Sequence, residues 1–184
     1  MRENILDAAE QIVQEKGLDA VSFQQLATAV GLSKASVFHH FKNSDALAAA
    51  LIERCRSKYG AEYHEIEVKQ KTAPKKLRRI AKSFDKGLKN NQLCLLAALG
   101  SSYQTLSLEL KAELGRSADG ALTVFTNIFE QGRNEGTLDF RGSPATAAAS
   151  FLALLQGMQH LSRYTQDPDV FMKSVENYLR NIES

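Results

Sequence analysis

Ser22 to Phe41 reads SFQQLATAVGLSKASVFHHF, and its punctuation predicts two short helices joined by a tight turn. Ser22 suits an N-cap, and Gln25 three residues later completes a capping box. Leu26, Ala27 and Val30 recur at helical spacing. Gly31 stands where the chain must reverse, a place that calls for positive φ, which glycine adopts without steric cost. Ser33 can cap the second helix, and Val37 and Phe41 lie one turn apart on one of its faces. Lys34, Ala35, Ser36, His39 and His40 are left around the remainder of a very short helix.

This is a helix-turn-helix pattern, and its second helix suits the major groove of DNA. An αα-hairpin that only packs has the same spacing. The flanks carry the reading further. ILDAAEQIVQEKGLDAVS precedes the pair and KNSDALAAALIE follows it, as a first helix and the start of a long fourth one. Residues 5–52 resemble the N-terminal domain of the TetR (tetracycline repressor) family of bacterial regulators. The matching pieces are Ile5-Leu6-Asp7-Ala8-Ala9, Lys16-Gly17, Leu26-Ala27, Gly31-Leu32-Ser33-Lys34, Phe38-His39-His40-Phe41 and Asp45-Ala46-Leu47.

The resemblance implies a dimeric DNA-binding regulator, a repressor in the first instance, released from a pseudo-palindromic operator by a small-molecule inducer or by cysteine modification. Residues 1–46 would be the helix-turn-helix domain. Residues 47–184 would bind ligand and form a homodimer through the last two helices. Readout would fall on Ser33, Lys34, Ala35, Ser36, Phe38, His39, His40 and Lys42, with Ser22, Gln24 and Gln25 placed for phosphate at the start of the preceding helix. Phe38 and His40 replace tyrosines common in the family. Phe38 cannot donate to a phosphate, though it can meet a thymine methyl. Ser44 stands where a lysine is frequent, so Lys42 would supply the nearby charge.

The chain has 184 residues, 43% hydrophobic and 24% charged, with three prolines and no tryptophan. That is the composition of an ordinary globular chain rich in helix formers. The expected fold is all-α with about nine helices. Net charge is +2. Residues 1–56 hold six cations (Arg2, Lys16, Lys34, Lys42, Arg54, Arg56) and seven acids (Glu3, Asp7, Glu10, Glu15, Asp19, Asp45, Glu53). The DNA-reading region is therefore not basic in bulk, and its case rests on where the charges sit. Met1-Arg2-Glu3-Asn4 leads straight into an amphipathic helix, which argues against a signal peptide. No run reaches the ~18–20 apolar residues of a membrane span. Two cysteines without a leader suit a reducing cytoplasm.

The first helix should span about residue 2 to Lys16, with Ile5, Ala8, Ala9, Ile12 and Val13 inward and Gly17 ending it. Asn43 can cap the fourth helix, which should run to about residues 64–71. A polar loop over 69–76 should precede the fifth. The Lys/Arg cluster at 69, 71, 75, 76, 78 and 79 reads as a solvated face rather than a second anion site. Later helices are expected over 93–99, 106–131, 144–164 and 168–182. The helix from Pro144 to Tyr164 is apolar or small nearly all round, which predicts burial on more than one side and independently favours a dimer.

In the second half the surroundings of Cys94 resemble the subgroup containing the N-ethylmaleimide reductase repressor, where a cysteine at the corresponding place senses electrophiles. That implies a sensor role for Cys94, against which its neighbours Leu93, Leu95 and Leu96 favour an inert buried thiol. Cys55 reads as packing. The family implies a ligand pocket, with candidates Phe84, Leu88, Leu99, Tyr103, Phe125, Phe129, Phe151, Leu155, Gln156, Gln159 and His160. There is no phosphate loop, nucleophile elbow or HExxH, and the histidines and cysteines lack metal-ligand spacing. An enzyme is not expected, nor a cofactor or metal. The remaining alternative is a helical protein-binding adaptor, which would not need Lys34 or Ser36.

Overall fold

A computed structural model describes residues 1–167 and 169–184. Among them the chain forms α1 (Arg2–Lys16), α2 (Phe23–Val30), α3 (Lys34–His40), α4 (Ser44–Lys69), α5 (Ala73–Lys89), α6 (Leu95–Gly100), α7 (Leu108–Asn134), α8 (Pro144–Thr165) and α9 (Asp169–Ile182). Short 3-10 turns occupy Leu18–Ala20 and Tyr103–Thr105. Extended pairing among the described residues is limited to one bridge, Leu138 to Glu183. The all-α expectation holds. Pro168, the expected first residue of the last helix, lies outside the described residues. The chain divides into two compact units, Met1–Lys58 with Cys94–Ala118, and Tyr59–Leu93 with Asp119–Ser184.

In the first unit, α1 packs on α2 and α6, and α2 packs on α3. Ile5, Ala9, Val13, Leu26, Ala27, Val37, Phe41, Leu47, Leu51, Leu95 and Leu99 are buried there. The buried face of α1 is rotated from the apolar one. Ala8 and Ile12 stay partly exposed, while Leu6, Glu10 and Gln14 are buried. The cause lies on α4. Lys58 Nζ is 2.7 Å from Glu10 Oε1 and Arg54 Nη1 is 3.3 Å from Glu10 Oε2. Arg54 also donates to Glu3 and Asp7. Burial opposes the Arg54 charge, but the bonds to Asp7 and Glu3 and the neighbouring carboxylates outweigh it and hold its pKa above the ordinary arginine value.

In the second unit, α5, α8 and α9 pack on one another. Helix α5 begins earlier than expected. Pro74 enters as one of its first two residues, where a missing N–H costs nothing, so the polar loop shrinks to residues 70–72. The basic cluster is largely engaged. Lys69 pairs with Glu65, Lys76 Nζ donates to Gln131 Oε1 at 2.7 Å, and Arg79 Nη1 donates to Ser83 Oγ at 3.1 Å. Arg78 ties α5 to the end of the chain, donating from Nε to Glu176 at 3.1 Å and through both terminal nitrogens to Glu183 at 2.9 and 2.6 Å. The Arg78 hydrogen bond holds the Glu183 carboxyl below its usual range. Phe125, Phe129, Phe151 and Tyr178 form an aromatic cluster with centroids 5.7 to 6.1 Å apart.

In the single chain helix α8 is buried along one side only. Ala148, Phe151, Leu152 and Leu155 are buried, but Ala145, Ala149, Ala153, Gly157 and Leu161 are exposed along the other side. A Cβ added at Gly157 would meet nothing within 4 Å. The small residues follow an i, i+4 row, so one whole face of α8 lies open in the single chain.

Candidate nucleic-acid interface

The reading face is set by local chemistry that matches the sequence closely. Ser22 Oγ accepts from Gln25 N at 3.2 Å and Gln25 Oε1 accepts from Ser22 N at 3.3 Å, the full capping box. Gly31 takes φ 69° and ψ 33° and closes α2 with its N–H on Ala27 and Thr28 carbonyls. Ser33 Oγ accepts from Ser36 N at 3.1 Å and lies 2.9 Å from Ser36 Oγ. Asn43 Oδ1 accepts from Ala46 N at 2.8 Å and caps α4. Helix α3 is anchored by Val37, with no exposed surface, and by Phe41 at its end.

The candidate residues fall into two groups. Ser22, Gln25 and Ser33 spend their side chains on the caps, while Ser36 gives its backbone N–H to Ser33 and keeps a hydroxyl beside it. Gln24, Lys34, Ala35, Phe38, His39 and Lys42 are exposed, and His40 is partly so. His39 and His40 rings meet edge to face at 5.6 Å. Phe38 is 44% exposed. Its ring lies against Phe23, centroid to centroid 4.5 Å, and Lys34 Nζ sits 5.9 Å from its centre. Between α2, α3 and the start of α4 runs an open groove of about 450 Å³, lined by Val21, Ser22, Phe23, Gln24, Lys34, Phe38, Asn43 and Ser44. Phe23 and Asn43 were not among the expected readout residues, yet both line this groove.

No carboxylate lines the groove. Most acids of residues 1–56 have partners away from the groove, while exposed Asp45 follows Ser44 at its edge. Glu3, Asp7 and Glu10 hold Arg54, Glu53 pairs with Arg56, and Asp19 accepts from Ser102 Oγ at 3.0 Å. Lys34 is thus a cation in a groove whose own lining holds no carboxylate, which favours contact with a polyanion.

The other candidates separate. Cys55 is buried, and burial pushes its thiol up to about 12. Cys94 precedes α6 and is partly exposed. Leu99 and Tyr103 belong to the first unit, and the other pocket candidates to the second. Tyr103 is exposed, with Lys111 Nζ 5.2 Å from its ring. Phe84, Phe125, Phe129, Phe151 and Leu155 are buried, while Leu88, Gln156 and His160 are partly exposed. Gln159 is buried and donates from Nε2 to the Phe84 carbonyl at 2.9 Å, which satisfies a polar group on an apolar face. His160 Nδ1 is 3.2 Å from the Tyr164 hydroxyl. Among the described residues no group of three or more His, Cys, Asp or Glu could hold a metal ion, and no helix is long and apolar enough to cross a membrane.

Residues 5–51 match the family model for bacterial regulatory proteins of the tetR family. Over its whole length the chain is 24% identical to the HTH-type transcriptional repressor NemR of Escherichia coli K12, in an alignment covering 100% of this chain and 92% of that protein. A tetR-family transcriptional regulator from Agrobacterium tumefaciens shares the fold with a TM-score of 0.94 at 22% identity, covering 100% of this chain and 97% of that one. The reduced form of E. coli NemR does so with a TM-score of 0.83 at 21% identity and the same coverage.

Proposed function

We propose that this chain, which belongs to the TetR family of transcriptional regulators, is a homodimeric repressor that reads a pseudo-palindromic operator with α3. The observation that carries the reading is the acid-free groove beside Lys34 and Phe38. Residues 1–46 do the reading, with Lys34 and Ser36 at base edges and nearby phosphates and Gln24, His39 and Lys42 at the flanks. Residues 47–184 bind ligand and dimerise. The open row of small residues on α8 suits close approach of the same helix in a second copy, and a two-fold dimer presents two α3 helices to two half-sites.

Release works by population shift. An inducer must bind the DNA-free conformation more tightly than the DNA-bound one, and the ratio of those affinities limits the response. A small molecule held among the aromatic residues of the second unit is one source of that bias. Modification of Cys94 is the other, supported by its partial exposure beside an inert Cys55. No catalytic role is assigned to the chain.

The test is a footprint of the purified protein on DNA flanking its own gene, at stated salt. A protected pseudo-palindrome, weakened by roughly 1–3 kcal/mol in Lys34→Ala, is the expected result. Partner binding that ignores substitution of both Lys34 and Ser36, with no protected DNA, would instead support the adaptor. If Cys94 is the sensor, Cys94→Ser binds DNA but no longer releases it on electrophile treatment.

A further inference from the structure

We infer that Phe38 reads the C5-methyl of one thymine in each operator half-site, with Phe23 as the residue that positions it; this rests on the DNA-reading function proposed above.

Helix α3 turns Lys34, Ala35 and His39 outward together with Phe38, and Phe38 is the single large apolar group among them. An isolated exposed phenylalanine is unremarkable on a protein surface. This one differs in its support. Its ring rests at 4.5 Å and 57° on the ring of Phe23, which is itself 8% exposed. Phe23 opens α2 directly after the Ser22 cap, so the capping box fixes its backbone. Phe38 therefore has a rigid backing on one face and presents the rest of its ring at the rim of the groove.

The ring can offer no hydrogen bond to a phosphate or to a base edge. Its useful partner in the major groove is an apolar one. Of the four bases, only thymine shows such a group there, the C5-methyl. Lys34, one turn earlier on the same helix, stands beside the ring with Nζ 5.9 Å from its centre. It supplies the charge that brings backbone and ring to the same stretch of DNA. A backed ring discriminates better than a free one, because a mobile side chain would follow the base and blur the difference between thymine and cytosine. Phe23 would thus act on specificity without touching DNA.

The experiment begins by selecting the operator from a random-sequence DNA pool with the full-length protein. Each dT of the selected site is then replaced singly by dU, which removes one methyl and nothing else. Binding is measured for wild type, Phe38→Ala and Phe23→Leu at one salt concentration. The expected result is one dT in each half-site at which dU weakens wild-type binding about fourfold, the worth of one buried methyl. Phe38→Ala should bind dT and dU forms of that site equally. Phe23→Leu should bind the operator with an unchanged salt dependence but a smaller dT/dU ratio, a readout that loss of stability alone does not move. Wild type indifferent to dU at every position, or Phe38→Ala with the wild-type ratio intact, overturns the inference while leaving DNA reading in place. Recovery of no operator overturns both.

Discussion

Replacing Arg54 by methionine should destabilise the first unit by about 2–3 kcal/mol, and the structure shows why the value is neither smaller nor larger. The Arg54 side chain is 14% exposed and faces three carboxylates. Glu3 and Asp7 are largely in solvent, at 66% and 69% exposure, so losing those pairs costs about 0.5 kcal/mol together. Glu10 is different. Its side chain is 6% exposed, and breaking a buried pair from one side costs about 3–5 kcal/mol. Lys58 at 2.7 Å remains as a second partner and removes a good part of that penalty. For a chain of this size, each kcal/mol moves the melting midpoint by about 2–4 °C, so Arg54→Met should melt roughly 5–10 °C lower. The assay is thermal unfolding followed by circular dichroism at 222 nm, with urea unfolding as a check. The double variant Glu10→Gln, Arg54→Met removes the stranded charge and should recover most of the loss. A single variant within about 0.5 kcal/mol of wild type, or a double variant no better than the single, would refute the argument that the buried carboxylate sets the magnitude.

Ser22→Ala removes one half of the capping box and should cost about 1 kcal/mol, with faster amide exchange at the start of α2. Under native conditions a thiol reagent at pH 8 should label Cys94 and leave Cys55 untouched until the protein is denatured; two equally fast thiols would contradict the buried, raised-pKa state of Cys55. Because the folded Cys55 pKa lies above the unfolded one, its contribution to stability is complete below about pH 8.5 and declines above it, a slope that Cys55→Ala should lack. Glu183→Gln should lower stability by about 1 kcal/mol at neutral pH. Its folded pKa is depressed by Arg78, so the difference from wild type is present above the ordinary carboxylate pKa and vanishes as pH falls through the folded value, which an unfolding series from pH 7 to pH 3 would read. Ala153→Arg places a long charge on the open face of α8 and should convert dimer to monomer in sedimentation velocity without loss of helix; an unchanged dimer would remove that face from the interface.

The features legible in the chain are those decided within a few residues. The Ser22–Gln25 box, the turn at Gly31 and the caps at Ser33 and Asn43 each depend on neighbours within one helical turn, and each is found as read. What was not legible depends on partners far along the chain. Glu10 is absent from the inward set expected for α1, and its burial follows from Arg54 and Lys58, more than forty residues away. Pro74 looked like a loop residue because proline usually breaks helices, whereas the first turn tolerates it. Helix α8 has apolar or small residues all round, but composition says only that both sides avoid water, not that one chain covers them both. Gln159 was expected at a ligand pocket, and its buried amide is met by one carbonyl on α5. Phe23 is buried as an apolar residue at the start of α2 should be, yet only the three-dimensional arrangement puts its ring behind Phe38.

Helix α3 is seven residues long, far below the length at which a helix persists alone in water. Its order is borrowed from the docking of Val37 and Phe41, and its outward positions contribute little to that order. Drift at 34, 35, 38 or 39 can therefore change what the protein recognises while leaving its ability to fold nearly untouched. The two inward residues have no such freedom, since loss of either would release the helix itself. An evolving regulator with this arrangement can move to a new address on the genome by a few surface exchanges, without first having to solve its folding problem again.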